Sequence, residues 1–411
     1  MKRIGNLYEK VCSIENLQLA DEKARKGKLR TYGVIEHDKK REVNLLKLRE
    51  TLLNGTFHTS KYDVFTIYEP KEREIYRLPY FPDRILHHAI MNVLEPIWVS
   101  TFTADTYSCI KNRGIHAAAK KVKQALREDP EGTTFCLKLD IRKFYPSINH
   151  DVLKSILRRK LKDKRLLRLL DEIIDSADGV PIGNYLSQYF ANLYLTYFDH
   201  WIKEQKRVKH YFRYADDIVI LASDKSYLHS LMGEIRAYLG DLKLEVKGNW
   251  QVFPVAARGI DFVGYVFFHT HTRMRKGIKK TFCRRLAKLN KRKRPLSEKD
   301  FKQAICPWWG WAKSCDSKHL IKKLSKTSKY EIKFKRETAH FAGLGQRQLA
   351  LQLQYYRSGS NAGTYGRSRR RPGTGRKEGV RLRHGGSMGP AGLRQMRKGR
   401  FAFPPGRNRR I

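Results

Sequence analysis

The chain has 411 residues, with 85 Lys and Arg against 40 Asp and Glu, a net charge of +45 and a hydrophobic share of 41%. That length and apolar share support two or three subdomains around a substantial core, and so large a positive balance excludes a self-contained soluble enzyme without a polyanionic partner. Nucleic acid fits the charge, because Lys and Arg gain affinity by releasing phosphate counterions; a membrane is not an expected partner, since no apolar run approaches the ~18–20 residues needed to span one.

The start, Met1-Lys2-Arg3-Ile4-Gly5-Asn6, lacks the apolar stretch of a signal peptide. The six cysteines are scattered without a C-x-x-C pair, so neither a zinc site nor a disulfide framework is expected, and the expected compartment is cytoplasmic. Residues 1–60 read as helix, with Leu45, Leu46, Leu48, Leu52 and Leu53 at helical spacing. Two β-prone runs then flank a charged turn that presents Lys71 and Arg73. Such a hairpin is either a triphosphate grip, since Arg matches phosphate oxygens with parallel donors, or a solvated charged turn. Asp83 is placed to cap a helix running to Trp98. A basic turn, Lys111-Asn112-Arg113-Gly114, precedes a helix with an apolar stripe from Ile115 to Leu126.

Phe135 to Ile141 alternates cleanly, with Phe135, Leu137, Leu139 and Ile141 on one face and Cys136, Lys138 and Asp140 on the other. Asp140 therefore ends a core strand, where a carboxylate needs a cation or a donor. An aromatic turn, Phe144-Tyr145-Pro146, follows, and Ser147 or Asn149 opens a basic helix. Ile182 and Gly183 lie in a turn rich in Gly and Pro, after which Asn184 is expected to cap one continuous aromatic-rich helix, Tyr185 to Trp201. Gly183 and the start of that helix permit close approach of a nucleotide. The hairpin Tyr214-Ala215-Asp216-Asp217 joins two strand-like runs. Beyond it come a helix ended by Gly240, strands over Leu242–Lys247, Val252–Val255 and Gly259–Phe268, and basic helices to about residue 335. After His340, Gly, Arg, Ser and Pro dominate, a composition that favours disorder with nonspecific nucleic-acid affinity.

Two strands thus end in carboxylates, Asp140 and the Asp216-Asp217 pair. The element order suits an α+β sheet with helices on one face. If the acids meet on adjacent strands they can hold two Mg²⁺ ions, about 3.5–4 Å apart, for phosphoryl chemistry.

At these residues the chain resembles the reverse transcriptases. Tyr214-Ala215-Asp216-Asp217 is similar to their Y-x-D-D motif, Leu139-Asp140-Ile141 with Phe144-Tyr145 to their first catalytic motif, and Gly259 to Gly264 to their primer-grip hairpin. The resemblance covers about residues 60–330. It implies a right-hand polymerase: an N-terminal helical segment (1–60), fingers (61–130), a palm with an antiparallel sheet (131–268), a helical thumb (269–340) and a disordered basic tail (341–411). It further implies metal ligands Asp140, Asp216, Asp217 and the Ile141 carbonyl, for two Mg²⁺ or Mn²⁺ ions. Lys71 and Arg73 would hold the dNTP triphosphate, Tyr145 (or, less well placed, Phe144) would stack under the sugar, and Lys247 would donate a proton. Gly259, Phe262 and Gly264 would grip the primer.

Within that family, Ile182-Gly183-Asn184-x-x-Ser187-Gln188 looks like the enzymes of diversity-generating retroelements. Intron-type and retroviral enzymes usually carry Gln where Ile182 stands. The subfamily resemblance implies error-prone copying, at adenines, of a template-repeat RNA into cDNA. Its partners would be that RNA, the cDNA primer, dNTPs and a small basic oligomeric accessory protein, in a bacterium or its phage. A group II intron-type or retron-type enzyme is the nearest alternative reading. A non-catalytic RNA-binding protein is an alternative of another class.

Overall fold

The alternation in Phe135–Asp140 makes it the second-innermost strand of a five-stranded sheet. The computed structural model describes residues 3–68 and 72–330. Lys71 and the expected tail 341–411 lie outside the described residues. In chain order the strands are β1 (Asp63–Ile67), β2 (Arg73–Arg77), β3 (Thr106–Tyr107), β4 (Phe135–Asp140), β5 (His210–Tyr214), β6 (Asp217–Ala222), β7 (Gln251–Pro254), β8 (Ile260–Phe262), β9 (Tyr265–Phe267) and β10 (Thr272–Met274). The main sheet runs β3-β5-β6-β4-β7; β3 is parallel to β5 and every other pair is antiparallel. A three-stranded sheet, β10-β9-β8, and the hairpin β1-β2 stand apart from it.

The pleat gives the main sheet two apolar faces. Leu137, Leu139, Ile218, Ile220 and Tyr211 join one core with the helices Ile85–Val99, Ser187–Tyr194 and Lys225–Asp241. Cys136, Phe212, Val219, Leu221 and Phe253 join a second core, with the helix Ile115–Glu128 and the three-stranded sheet. Both faces are therefore covered, not one as the element order suggests. A sheet buried on both sides cannot slip by one residue without exchanging its two cores, so the register at its end is fixed.

The N-terminal segment is helical as expected, with helices Tyr8–Cys12, Ile14–Ala24, Tyr32–Asp38 and Arg41–Leu53. Its buried hub is Asp21, which accepts from Arg25 at 2.7 Å, Arg41 at 2.6 Å and the Tyr80 hydroxyl at 2.5 Å. Burial pushes this carboxyl up, yet the bonds from Tyr80, Arg41 and Arg25 leave it below its ordinary value. Removing one partner of a buried charge network strands the others. Asp21→Ala is expected to cost about 3 kcal/mol of unfolding free energy, read from urea denaturation. A change under about 0.5 kcal/mol, the range of an ordinary surface site, would show that the hub is not structural.

Several local expectations need correction. Asp83 does not cap a helix: it is buried inside the turn Tyr80–Arg84 and accepts from the Ser60 amide at 3.0 Å. The aromatic-rich segment is not one helix, because helix Ser187–Tyr194 ends at Leu195, which leaves helical geometry at φ −97°, ψ 2°. Asn184 does not cap it either, but donates to the Tyr62 hydroxyl at 2.8 Å. Leu242–Lys247 forms no strand; Lys243 takes φ +58°, and only Val246 bridges, to Ile141. Gly259–Phe268 is a hairpin with Val263 and Gly264 both at positive φ, as a two-residue turn of this hand requires.

Candidate active site

β4 and β6 end together. Their register sets Asp140 directly opposite Asp217, and β5-β6 closes through Ala215 and Asp216 with Tyr214 opposite Asp217. Asp140 and Asp217 therefore share a face of the sheet with Lys138, and Asp216 sits at the tip between strands. The three acids singled out in the sequence thus lie at one end of the sheet, Asp140 closing β4, Asp217 opening β6 and Asp216 in the β5-β6 turn.

Their electrostatics is that of crowded carboxylates. Burial, then the negative charge of Asp140, pushes the Asp216 carboxyl up to about 6. Asp217 is also raised, chiefly by burial, against the pull of Lys138. Two lysines meet this charge. Lys138 Nζ donates to Asp217 Oδ1 at 2.8 Å and lies 5.6 Å from the centre of the Phe262 ring. Lys247 Nζ lies 2.6 Å from Asp140 Oδ1, an ion-pair contact that lacks hydrogen-bond alignment. The Lys247 amide donates to the Asp140 carbonyl at 2.9 Å, and Ile141 N–H meets the Asp216 carbonyl at 3.4 Å.

The turn that carries Ile182 is fastened to the same region from several sides. The Val180 amide donates to the Tyr145 carbonyl at 2.9 Å, and the Tyr76 amide of β2 donates to the Ile182 carbonyl at 2.9 Å. Ser187 Oγ donates to the Pro181 carbonyl at 2.7 Å. Gly183 has φ +130°, and a Cβ there would stand 2.3 Å from the Tyr76 carbonyl oxygen. Phe144 is buried and belongs to the core, whereas Tyr145 is half-buried beside it, ring centres 5.6 Å apart. Arg73 opens β2 opposite Ile67. Gly259, Phe262 and Gly264 lie on the β8-β9 hairpin, and Phe262 is wholly buried. Of these, Phe262 is tied to the acids through Lys138. Lys138 itself was missed by sequence reasoning, although its place two residues before Asp140 puts it on the same face.

Among the described residues, no group of three or more His, Cys, Asp and Glu side chains stands ready to ligate a metal. The donor chemistry nevertheless fits a divalent cation. Hard carboxylate oxygens are crowded together, their mutual repulsion raises Asp216, and ammonium groups already offset the excess charge. A cation would replace Lys138 and Lys247 at those oxygens.

Residues 69–267 match the family model of reverse transcriptase (RNA-dependent DNA polymerase). The chain carries a reverse transcriptase domain. All three acids and both lysines fall inside that domain. Relatives include protein YkfC of Escherichia coli, 26% identical over 279 residues, which cover 56% of this chain and 73% of that protein. The group II intron-encoded protein LtrA of Lactococcus lactis is 23% identical over 191 residues, 43% of this chain and 31% of LtrA. Nuclear intron maturase 4 of Arabidopsis thaliana is 27% identical over 161 residues, 37% of this chain and 20% of the maturase. The chain thus spans about a third or less of the length of the intron proteins it matches. Among solved structures, apo telomerase from Candida tropicalis aligns over 67% of this chain and 60% of its own, with TM-score 0.42 and 12% identity. No helix of the described residues is long and apolar enough to cross a membrane.

Proposed function

We propose that the reverse transcriptase domain extends a DNA primer on an RNA template at the cluster Asp140, Asp216 and Asp217. The observation that carries this reading is the register that sets Asp140 opposite Asp217 at the end of two core strands. Asp140 and Asp216, with Asp217 and the Ile141 carbonyl assisting, would hold two Mg²⁺ or Mn²⁺ ions. When bound, such ions activate a primer 3′-hydroxyl and neutralise the leaving pyrophosphate.

The remaining roles belong to the chain. Lys247, whose Nζ lies beside Asp140, would deliver a proton to the departing pyrophosphate. Tyr145, the less buried of the aromatic pair, lies under the incoming sugar; Phe144 supports it from the core. Lys71 and Arg73 would hold the triphosphate, and the Ile182-Gly183 turn would face the nucleotide. Gly259, Phe262 and Gly264 would steady the primer. In this reading residues 61–130 are fingers, 131–268 palm and 269–340 thumb.

The finer reading is a diversity-generating retroelement enzyme. It would copy a template-repeat RNA with errors at adenines, together with a small basic accessory protein. Ile182 supports it: an apolar side chain offers no polar contact to the nucleotide, and a pocket missing one polar constraint discriminates less. Purified protein given primed RNA, dNTPs and Mg²⁺ is expected to make cDNA enriched in errors opposite adenine. Ile182→Gln is expected to lower those errors about tenfold, read by sequencing the product. An unchanged error spectrum in the variant removes Ile182 from the argument. Accurate wild-type cDNA favours an intron-type enzyme, the second reading, which the similarity to LtrA and maturase 4 supports. If no cDNA forms, even with the accessory partner, the chain is an RNA-binding protein.

A further inference from the structure

Beneath the Asp216 turn lies a buried ion pair that makes no contact with the acids. Arg213, on the opposite face of β5 from Tyr214, and Asp199, at the end of the chain segment after helix Ser187–Tyr194, are both wholly buried. Arg213 Nε donates to Asp199 Oδ1 at 2.7 Å, and Nη2 donates to Oδ2 at 2.6 Å. The Tyr211 hydroxyl donates to Oδ1 at 2.5 Å and Thr106 Oγ1 to Oδ2 at 2.8 Å, so each carboxylate oxygen accepts twice. The remaining arm of the guanidinium, Nη1, divides between the Asn192 side-chain oxygen at 3.1 Å and the Ala215 carbonyl at 3.0 Å. Asn192 cannot turn away, because its Nδ2 donates to the Ser108 carbonyl at 3.0 Å.

Such a pair is poor evidence of stability, since apolar residues of similar volume in its place are often neutral or stabilising. Its distinctive contact is the one to the turn. Ala215 takes φ +55°, a left-handed conformation that an alanine adopts at a cost of about 1–2 kcal/mol. Left to itself the peptide would relax and carry Asp216 with it. A fixed guanidinium holding the Ala215 carbonyl opposes that relaxation, and the side chains that fix it come from β3, from helix Ser187–Tyr194 and from the segment after it.

We infer that Arg213 and Asp199 are positioning residues that hold the Ala215 carbonyl and thereby fix Asp216 and Asp217 against Asp140. The inference rests on the polymerase reading for its catalytic consequence, but its structural content is the geometry of the acids. Arg213→Ala would strand a buried carboxylate and unfold the chain. The informative variant is the double substitution Asp199→Leu with Arg213→Met, which removes both charges together.

The test uses the full chain and three readouts: thermal melting, Mn²⁺ affinity by titration, and steady-state primer extension on primed RNA. The double variant is expected to melt within a few degrees of wild type. Its Mn²⁺ affinity should fall at least tenfold, and kcat should fall at least tenfold with the dNTP KM changed less than threefold. Restoring Arg213 and Asp199 should restore all of it, whereas Arg213→Lys, which keeps the charge but loses the fork, should stay defective. A folded double variant with wild-type Mn²⁺ affinity and kcat overturns the inference. So does a double variant that loses both only because it has unfolded while Arg213→Lys is folded and fully active. Wild-type protein that binds Mn²⁺ but makes no cDNA overturns the polymerase reading instead, and the Mn²⁺ comparison still decides the positioning role.

Discussion

Asp216→Asn is expected to abolish cDNA synthesis, by about three orders of magnitude or more, while the fold becomes more stable near neutral pH. The two effects have one cause. Asp216 carries the charge proposed to hold a cation, and that same charge is unwelcome in the folded protein, where burial and Asp140 push the carboxyl up to about 6 from 3.8. A raised carboxyl binds its proton more tightly folded than unfolded. Its contribution to stability is therefore complete below pH ~4 and is lost as pH rises through about 6. Asparagine has no charge to lose. In metal-free buffer, wild type and variant should melt alike near pH 4, and above pH 6 the variant should melt higher. Added Mg²⁺ should narrow that gap by stabilising wild type alone. Primer extension and melting curves across pH 4 to 8 check both halves. An active Asp216→Asn protein would remove Asp216 from the metal site, and a variant less stable at pH 7.5 would contradict the repulsion.

This turn was legible in the sequence because two independent signals met there. The alternation of β4 placed Asp140 on one face, and paired acids between β-prone runs marked a hairpin. The partners of the acids were not legible in the same way. Lys138 reads as the ordinary polar member of an alternating strand until Asp217 is seen across from it. Arg213 reads as one basic residue among 85 Lys and Arg; its meaning depends on Asp199, which lies 14 positions away in sequence and reaches it only through the fold. Where periodicity misled, a single residue had left the regular conformation. Leu242 to Val246 alternates like a strand, yet Lys243 adopts φ +58° and pairing is confined to Val246. The aromatic stripe from Tyr185 to Trp201 hides the break at Leu195, because core-facing residues on both sides of it are apolar. Asn184 looked like a cap because Asn often caps, but its amide is spent on Tyr62, 122 positions away. Local pattern reports which face a side chain takes; it does not report which distant group will be waiting there.

Gly183→Ala carries the second large effect. At φ +130° a side chain is strained whatever the space, at about 1–3 kcal/mol. Here there is no space either, since the new Cβ would stand 2.3 Å from the Tyr76 carbonyl oxygen. A flexible side chain could swing aside, but that oxygen is backbone, and Tyr76 is bonded through its amide to the Ile182 carbonyl at 2.9 Å. The β1-β2 hairpin and the Ile182 turn must therefore separate. That hairpin carries Arg73, and the turn is anchored through Val180 to the carbonyl of Tyr145. If these groups together form the nucleotide pocket, a displacement of about 1 Å costs about 10- to 100-fold in rate at limiting dNTP. The loss should appear mainly as a higher KM, because Asp140, Asp216 and Asp217 stay in register on β4 and β6. Gly183→Ala protein should accordingly keep the Mn²⁺ affinity of wild type while losing dNTP affinity, the reverse of what is expected beneath the Asp216 turn. Equal kinetics for Gly183→Ala and wild type would mean that the hairpin and the turn move independently of the nucleotide, and would remove Arg73 from the nucleotide pocket.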